Sequence, residues 1–358
     1  MKLTFDTLFN DPIVVNAVID RIQAQQKDPI FWKRYMTFEQ TNSKVFKTYF
    51  GTQTGVVMGS IIDSHSNKPT RERKSLGTGY GEVAALGNKY QLDNDRLEML
   101  RLLVDKFNTN NNPVALNEII NYIVDDMRQV MLAPHKRMDK FVGDLRSTGK
   151  GGVSVADNPD GVELLEVTLP VVSYQIPQAR KADVISFLQS YVQEKRATMG
   201  TFGIIEMNRF TFNNRVKTSD EFKNVYTRLF GSAEIAVGAG IITDTMANEL
   251  FTTIGLPPIR IVEEYVEKPD GTSVNTFADE RISLLPSDSL GKMRWYLPYE
   301  VTDPVQGKSY TVREGGHYIS SKRTDEGRFL EYGCEWMPDF SAPNRIAILD
   351  TSLLVAGE

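Results

Sequence analysis

The sequence predicts an α+β protein, and three observations carry that reading. An over-long helical period of apolar residues runs from Pro113 to Leu145, glycine-rich β-branched runs flank a polar turn between Lys44 and Tyr90, and helical and extended stretches mix from Pro177 onward. Helices and strands do not follow the strict alternation of a doubly wound parallel sheet. At roughly 150 residues per domain, the 358 residues allow about two or three folded units.

Residues 1 to 50 mix short apolar stretches with Pro12 and Pro29 and read as an N-terminal arm with one short helix over Ile13–Ile22. Residues 51 to 90 read as an extended β-hairpin loop with its tip near 63–70, and Lys68, Arg71, Arg73 and Lys74 make that tip basic. A lone hairpin is at best marginally stable in water, so this one is expected to lie on something else. Asp93 caps a helix beginning at Asn94, with Leu97, Leu100, Leu103, Val104 and Phe107 on one face. Asn112-Pro113 opens the longest helix, which buries Leu116, Ile119, Ile123, Met127 and Val130 and resumes through Met138, Phe141 and Leu145. Pro134 is expected to kink or break it.

A buried strand is expected over Gly161–Val172, followed by helices over Ala179–Ala197, Thr218–Phe230 and Asp244–Ile254. Thr218 and Glu221 have capping-box spacing, and Gly255 and Pro257 stop the third of these helices. Ile259–Val266 and Thr272–Phe277 flank the turn Lys268-Pro269-Asp270-Gly271 as a second hairpin, and strands occupy the rest.

Composition excludes several classes. Forty-one basic against 46 acidic residues give a net charge of −5, unlike a dedicated DNA-reading domain. No apolar run approaches the roughly 20 residues that span a bilayer, and Asp6 interrupts the start where a signal peptide needs its apolar stretch. The single cysteine, Cys334, excludes an internal disulfide and a multi-cysteine zinc site, and reads as a small buried apolar residue. A reducing cytoplasm is the expected place of synthesis.

Catalytic chemistry finds little footing. Gly77-Thr78-Gly79-Tyr80-Gly81 resembles half a phosphate cradle, yet Glu82 stands where a dinucleotide fingerprint needs glycine. Gly307-Lys308-Ser309 lacks the opening glycine of a P-loop, replaced by Thr302. His65, His135 and His317 are scattered, and His135 reads as a solvated helix residue. Asp125-Asp126, Glu263-Glu264 and Asp325-Glu326 read as solvated faces, because sequence neighbours point in different directions. No catalytic residue, metal or cofactor is implied. A chain with a long arm, a projecting hairpin and an over-long helix is instead built for contacts.

This order of elements resembles the major capsid protein family of tailed bacteriophages, in particular the lambda-type coat proteins. Met127-Arg128-Gln129-Val130-Met131 through Leu145-Arg146-Ser147-Thr148-Gly149-Lys150 is similar to the end of that family's spine helix. Glu280-Arg281-Ile282-Ser283-Leu284-Leu285-Pro286 with Leu290-Gly291, and Trp336-Met337-Pro338 to Ile346-Ala347-Ile348-Leu349, are similar to its later strands. The resemblance implies the tailed-phage capsid fold: arm (1–50), extended loop (51–90), peripheral domain with spine helix (91–176, completed by C-terminal strands), axial domain (177–335), and closing strand with tail (336–358). It implies a non-enzymatic protein, made in the host cytoplasm, whose hexamers and pentamers close into an icosahedral head shell around double-stranded DNA held by weak contacts.

The same resemblance implies a separate scaffold, since the chain opens on the arm itself, together with a portal, a possible decoration protein and no membrane. Phe31, Trp32, Lys68, Arg71, Arg73 and Lys74 are the expected assembly-interface residues. Some members cross-link subunits through a Lys–Asn isopeptide bond, for which Lys68 or Lys74 and Asn344 are the candidates. A cellular encapsulin compartment enclosing a cargo enzyme is the second reading of that fold. An enzyme acting on phosphorylated or nucleic-acid substrates through Gly77–Gly81 is the alternative of another class, and loss of nucleotide binding in Gly79→Val is its discriminating test.

Overall fold

The computed structural model describes residues 4, 7–8, 18, 20–21, 29–51, 76–110, 113–154, 157–159, 164–230, 242–306, 308–325 and 327–354. The chain divides into two compact units that interleave in sequence. Unit 1 takes Met1–Phe46, Tyr80–Met138 and Lys292–Asp339; unit 2 takes Lys47–Gly79, Asp139–Gly291 and Phe340–Glu358.

In chain order, β1 (Met36–Gln40) enters unit 1, β2 (Val45–Gly51) and β3 (Leu76–Glu82) form a two-stranded ribbon, and β4 (Ala84–Leu92) returns. Helix α1 (Asn94–Asn110) starts as its cap predicts: the Arg96 backbone N–H donates to Asp93 Oδ1 at 2.8 Å. Helix α2 (Pro113–Thr148) is a single 36-residue helix, about 54 Å long at 1.5 Å per residue.

The expected break at Pro134 does not occur. Proline has no N–H for the carbonyl of Val130, four residues back. That carbonyl instead accepts from the imidazole of His317. A side chain from elsewhere in unit 1 thus supplies the donor that the helix lacks, and the helical path survives.

Unit 1 is completed by β13 (Gly291–Tyr296), β14 (Ser309–Val312), β15 (Tyr318–Thr324) and β16 (Gly327–Phe340). Its sheet runs β1-β13-β16-β15-β14, with β4 also paired to β16 from Leu92↔Arg328 to Ala84↔Trp336. One apolar cluster there combines Leu92 from β4, Leu100 and Val104 from α1, Ile119, Ile123 and Met127 from α2, and Ile319 and Leu330 from the sheet. Residues 292–335 thus fold with the elements around residues 36–138.

Unit 2 holds a ribbon of β5 (Lys150–Val153) with β6 (Leu164–Thr168), then β7 (Val172–Gln175), α3 (Val184–Met199) and β8 (Ile204–Asn208). The single buried strand expected over Gly161–Val172 is divided, because Pro170 cannot donate to a ladder; Glu166 and Thr168 are exposed. After α4 (Asp220–Phe230) and α5 (Asp244–Thr253) come β9 (Ile259–Val262), the hairpin of β10 (Tyr265–Glu267) with β11 (Ser273–Asn275), β12 (Arg281–Leu285) and finally β17 (Ala347–Asp350). The second hairpin is thus narrower than expected, because β9 leaves it to pair with β8. The central sheet runs β7-β17-β12-β8-β9, with β12 antiparallel to both neighbours and both edge pairs parallel. Val184, Ile185, Leu188 and Tyr191 of α3 pack into its core with Phe222, Leu250, Ile282 and Leu349.

The capping box expected at Thr218 and Glu221 is not formed. Ser219 Oγ accepts from the Phe222 N–H at 3.3 Å, one residue later than predicted. Glu221 reaches across to α3, where its Oε2 accepts from the Ser186 N–H at 2.8 Å. A first-turn carboxylate of one helix therefore satisfies an open N–H in the first turn of another.

Close approach fixes one glycine of α2. A Cβ at Gly143 would run into the Thr276 carbonyl, which is backbone and cannot swing away. Gly143→Ala is expected to destabilise unit 2 by about 1–3 kcal/mol through overpacking, measured by denaturant unfolding. An unchanged midpoint would show that the helix yields there.

Candidate assembly surfaces

The extended hairpin is present at its base, where β2 pairs with β3. Its tip, and with it Lys68, Arg71, Arg73, Lys74 and His65, lies outside the described residues. Gly77–Gly81 forms part of strand β3 and is not a loop at a helix start, so it has no phosphate-cradle geometry. A Cβ at Gly81 would strike the Phe46 ring. Close packing of two strands accounts for that glycine.

The described part of the arm is built into unit 1. β1 is a strand of its sheet, Leu8 and Val18 are buried in its apolar cluster, and Trp32, Tyr35 and Met36 are buried too. Trp32 is 1% exposed, so its side chain presents no surface to a partner. Its ring lies edge-on to Phe38 at 4.9 Å and tilted against Trp336 at 6.2 Å, and its Nε1–H donates to His135 Nδ1 at 3.2 Å. Phe31 is half-buried, with the Lys136 ammonium 5.0 Å from its ring centre.

His135 is buried, not solvated: it stacks on Trp32, contacts Trp336 at 4.8 Å and meets His317 edge-on at 6.2 Å. Sequence separation hid this pairing. Burial, with the charges of His317, Lys33 and Lys136 adding, pulls the His135 pKa well down. Burial likewise pulls His317 down to about 4. The neutral imidazole of His135 can then accept from Trp32, and that of His317 can donate to Val130. Gly315 and Gly316, at φ of 76° and 67°, turn the chain into His317, and a Cβ at Gly316 would sit 2.7 Å from Trp295.

Unit 2 contains a buried ion network that sequence reading missed. Arg146, 1% exposed in the last turn of α2, donates Nη1 to Glu206 and Nη2 to Glu264. Arg260 Nη1 donates to the other oxygen of Glu206 at 2.8 Å, and Thr276 Oγ1 donates to Glu264 at 3.1 Å. The expected solvated face at Glu263-Glu264 therefore holds only for Glu263, which pairs with Arg209; Glu264 is buried. Neighbouring side chains do point apart, as predicted. Cys334 is buried, and burial raises its thiol pKa well above the ordinary value, in keeping with the packing role read from sequence.

Apolar side chains remain exposed on both units. Met99 and Leu102 on α1 and Tyr299 belong to unit 1; Tyr174, Phe210 and Leu353 belong to unit 2. Asn344 is half-buried in the short turn Pro343–Arg345. Among the described residues no helix is long and apolar enough to cross a membrane.

No protein-family model matches the chain, and no curated protein matches it in sequence. Solved structures do match. A phage-related protein from Bordetella bronchiseptica RB50 superposes with a TM-score of 0.51 at 11% identity, over 97% of this chain and 99% of that one. A protein assigned as a prophage capsid protein of Escherichia coli CFT073 also gives 0.51 at 11% identity, over 94% and 99%. The capsid of Myoviridae phage XM1 is a looser match, with a TM-score of 0.43 at 11% identity over 89% and 90%. This chain has the phage capsid fold.

Proposed function

We propose that the chain is the major capsid protein of a tailed bacteriophage, a structural and non-enzymatic protein. Its hexamers and pentamers would close into an icosahedral head shell around packaged double-stranded DNA. The observation that carries this reading is coverage: the likeness takes in 97% of this chain and 99% of its phage-related counterpart, so it concerns the chain as a whole and not one part of it.

Unit 1, with its long sheet and the first part of α2, is assigned the peripheral role, and unit 2 the axial role around the capsomer centre. The described part of the arm is packed inside unit 1, and the residues assigned to contacts with neighbours are Lys68, Arg71, Arg73 and Lys74, which lie outside the described residues. Exposed Met99, Leu102 and Tyr174 are apolar surface for neighbours to cover. A separate scaffold and a portal complete the assembly.

The test is expression of the full chain, with and without a scaffold, followed by sizing chromatography and negative-stain microscopy. Rings or closed shells are expected. Monomers at every concentration, with scaffold present, would overturn the reading.

A further inference from the structure

We propose that unit 1 carries a binding recess for a neutral sugar ring, with Tyr299 as its platform. The recess, about 330 Å³, lies where the end of β1 and the turn after it face the end of β13 and the short helix Tyr299–Thr302. Its lining comes from residues 40–44 and 296–302, all within unit 1. Small-molecule sites run from about 300 to 1,000 Å³, so there is room for one small ring.

Both walls are held from behind. The Thr41 N–H donates to the Trp295 carbonyl at 2.8 Å, which ties the turn to β13. Opposite, the Val301 N–H donates to the Pro298 carbonyl at 3.1 Å and the Asp303 N–H to the Tyr299 carbonyl at 2.9 Å. The Tyr299 hydroxyl donates to Asp303 Oδ2 at 3.0 Å, which fixes the far end of the ring. The ring itself stays open: Tyr299 is 68% exposed, more than any other large apolar side chain among the described residues. An exposed ring is ordinary by itself. Its surroundings single this one out.

Charge is matched at the recess. Lys44 is the one charged residue of the lining, and its ammonium donates to Glu335 Oε1 at 2.7 Å. The same ammonium lies 5.8 Å from the centre of the Tyr296 ring, so Tyr296 is a wall whose face is already taken. The hydroxyls of Thr41 and Thr302 donate to the Ser43 and Tyr299 carbonyls at 2.9 and 2.8 Å. Gln40 and Asn42 are exposed at the rim, and each amide sets two N–H donors beside a carbonyl acceptor.

These features select the ligand class. An anion would need a cation not already matched, and a cation would have to face Lys44. A wholly apolar ligand would cover the amides without pairing them. A pyranose answers both demands. The C–H groups on one side of its ring rest on the negative face of an aromatic ring, and its hydroxyls, each donor and acceptor, pair with planar amides. The recess lies in one unit of one chain, so the proposal does not rest on the shell reading.

The test is ligand-observed nuclear magnetic resonance titration of the full chain with glucose, galactose, mannose and N-acetylglucosamine. Sorbitol, which has the hydroxyls but no ring, is the reference. At least one ring sugar is expected to bind with a dissociation constant on the order of 1 mM, about tenfold or more below that of sorbitol. Tyr299→Ala is expected to weaken that binding about tenfold, and Asn42→Ala severalfold. Tyr299→Phe should keep it within about twofold, because the lost hydroxyl faces Asp303 and not the sugar. Methyl glycosides of the tightest sugar separate the sources: equal affinity places the ring within a glycan chain, and exclusion makes it a free sugar. Binding of all four sugars no tighter than sorbitol, or affinity unchanged in Tyr299→Ala, overturns the proposal; Asn42→Ala takes its place should Tyr299→Ala fail to fold.

Discussion

Arg146→Ala is expected to destabilise unit 2 by about 3–5 kcal/mol, because it removes the cation from between two buried carboxylates. Glu206 would keep Arg260 and Glu264 would keep the Thr276 hydroxyl, but the cation between them would be gone. A buried carboxylate that loses its cation must protonate, draw in water or open the structure. Arg146→Lys is expected to recover only part of the loss, since one ammonium cannot present two forked donors to separate carboxylates. Arg146→Met with Glu206→Gln and Glu264→Gln should lie well above the single alanine variant, because no unpaired charge remains. Denaturant unfolding followed by far-ultraviolet circular dichroism measures each. A loss of under about 1 kcal/mol in Arg146→Ala would mean that solvent already reaches the network.

That network also marks where the sequence stopped being legible. The course of α2 was readable because Ile119, Ile123, Met127 and Val130 repeat at helical spacing, and α1 because Asp93 stands at its start. What Arg146, His135 and Glu264 do was not readable. A polar residue on a predicted helix or strand reads as solvated unless its partner is visible, and these partners come from far along the chain. Pro134 failed as a breaker for the same reason: the donor that replaces its missing N–H belongs to His317. The cap at the start of α4 slipped by one residue because Ser219 and Thr218 have the same chemistry, and Glu221 found a better acceptor's role on α3.

The candidate surfaces divide in the same way. Basic tip residues could be picked out by charge alone, whereas Phe31 and Trp32 were named as interface residues without a charge pattern to single them out. Tryptophan's large apolar area makes burial in a core as natural as burial at an interface, and only the neighbours Phe38, His135 and Trp336 decide between them. The recess beside Tyr299 was invisible in sequence, because it depends on the contact that sets the turn after β1 against the end of β13.

Stability of unit 1 is expected to fall as pH drops from 6.5 towards 4. An unfolded imidazole titrates near 6.5, whereas His317 in the fold does so at about 4 and His135 well below the ordinary value. Through that interval the unfolded chain binds more protons than the native one, so the slope of stability against pH is positive. The stabilisation is complete above 6.5, declines below it, and levels off once His317 itself protonates. His317 alone accounts for about 2 kcal/mol by pH 5, above the range where most carboxylates titrate, and His135 acts in the same direction. The neighbouring charges reinforce this sign: Lys33 and Lys136 disfavour a second positive charge on His135, as Arg313 does on His317.

All three tryptophans, Trp32, Trp295 and Trp336, lie in unit 1, so denaturant unfolding followed by tryptophan fluorescence reads this unit selectively. His317→Gln supplies an amide N–H for the Val130 carbonyl but no titrating group, and is expected to flatten the fluorescence-detected slope between pH 6.5 and 5. An equal slope in the variant and the wild type would place the pH sensitivity elsewhere. Flattening would show that the same imidazole both mends the helix at Pro134 and sets its acid limit, because donating to Val130 and remaining uncharged are properties of one buried, neutral ring.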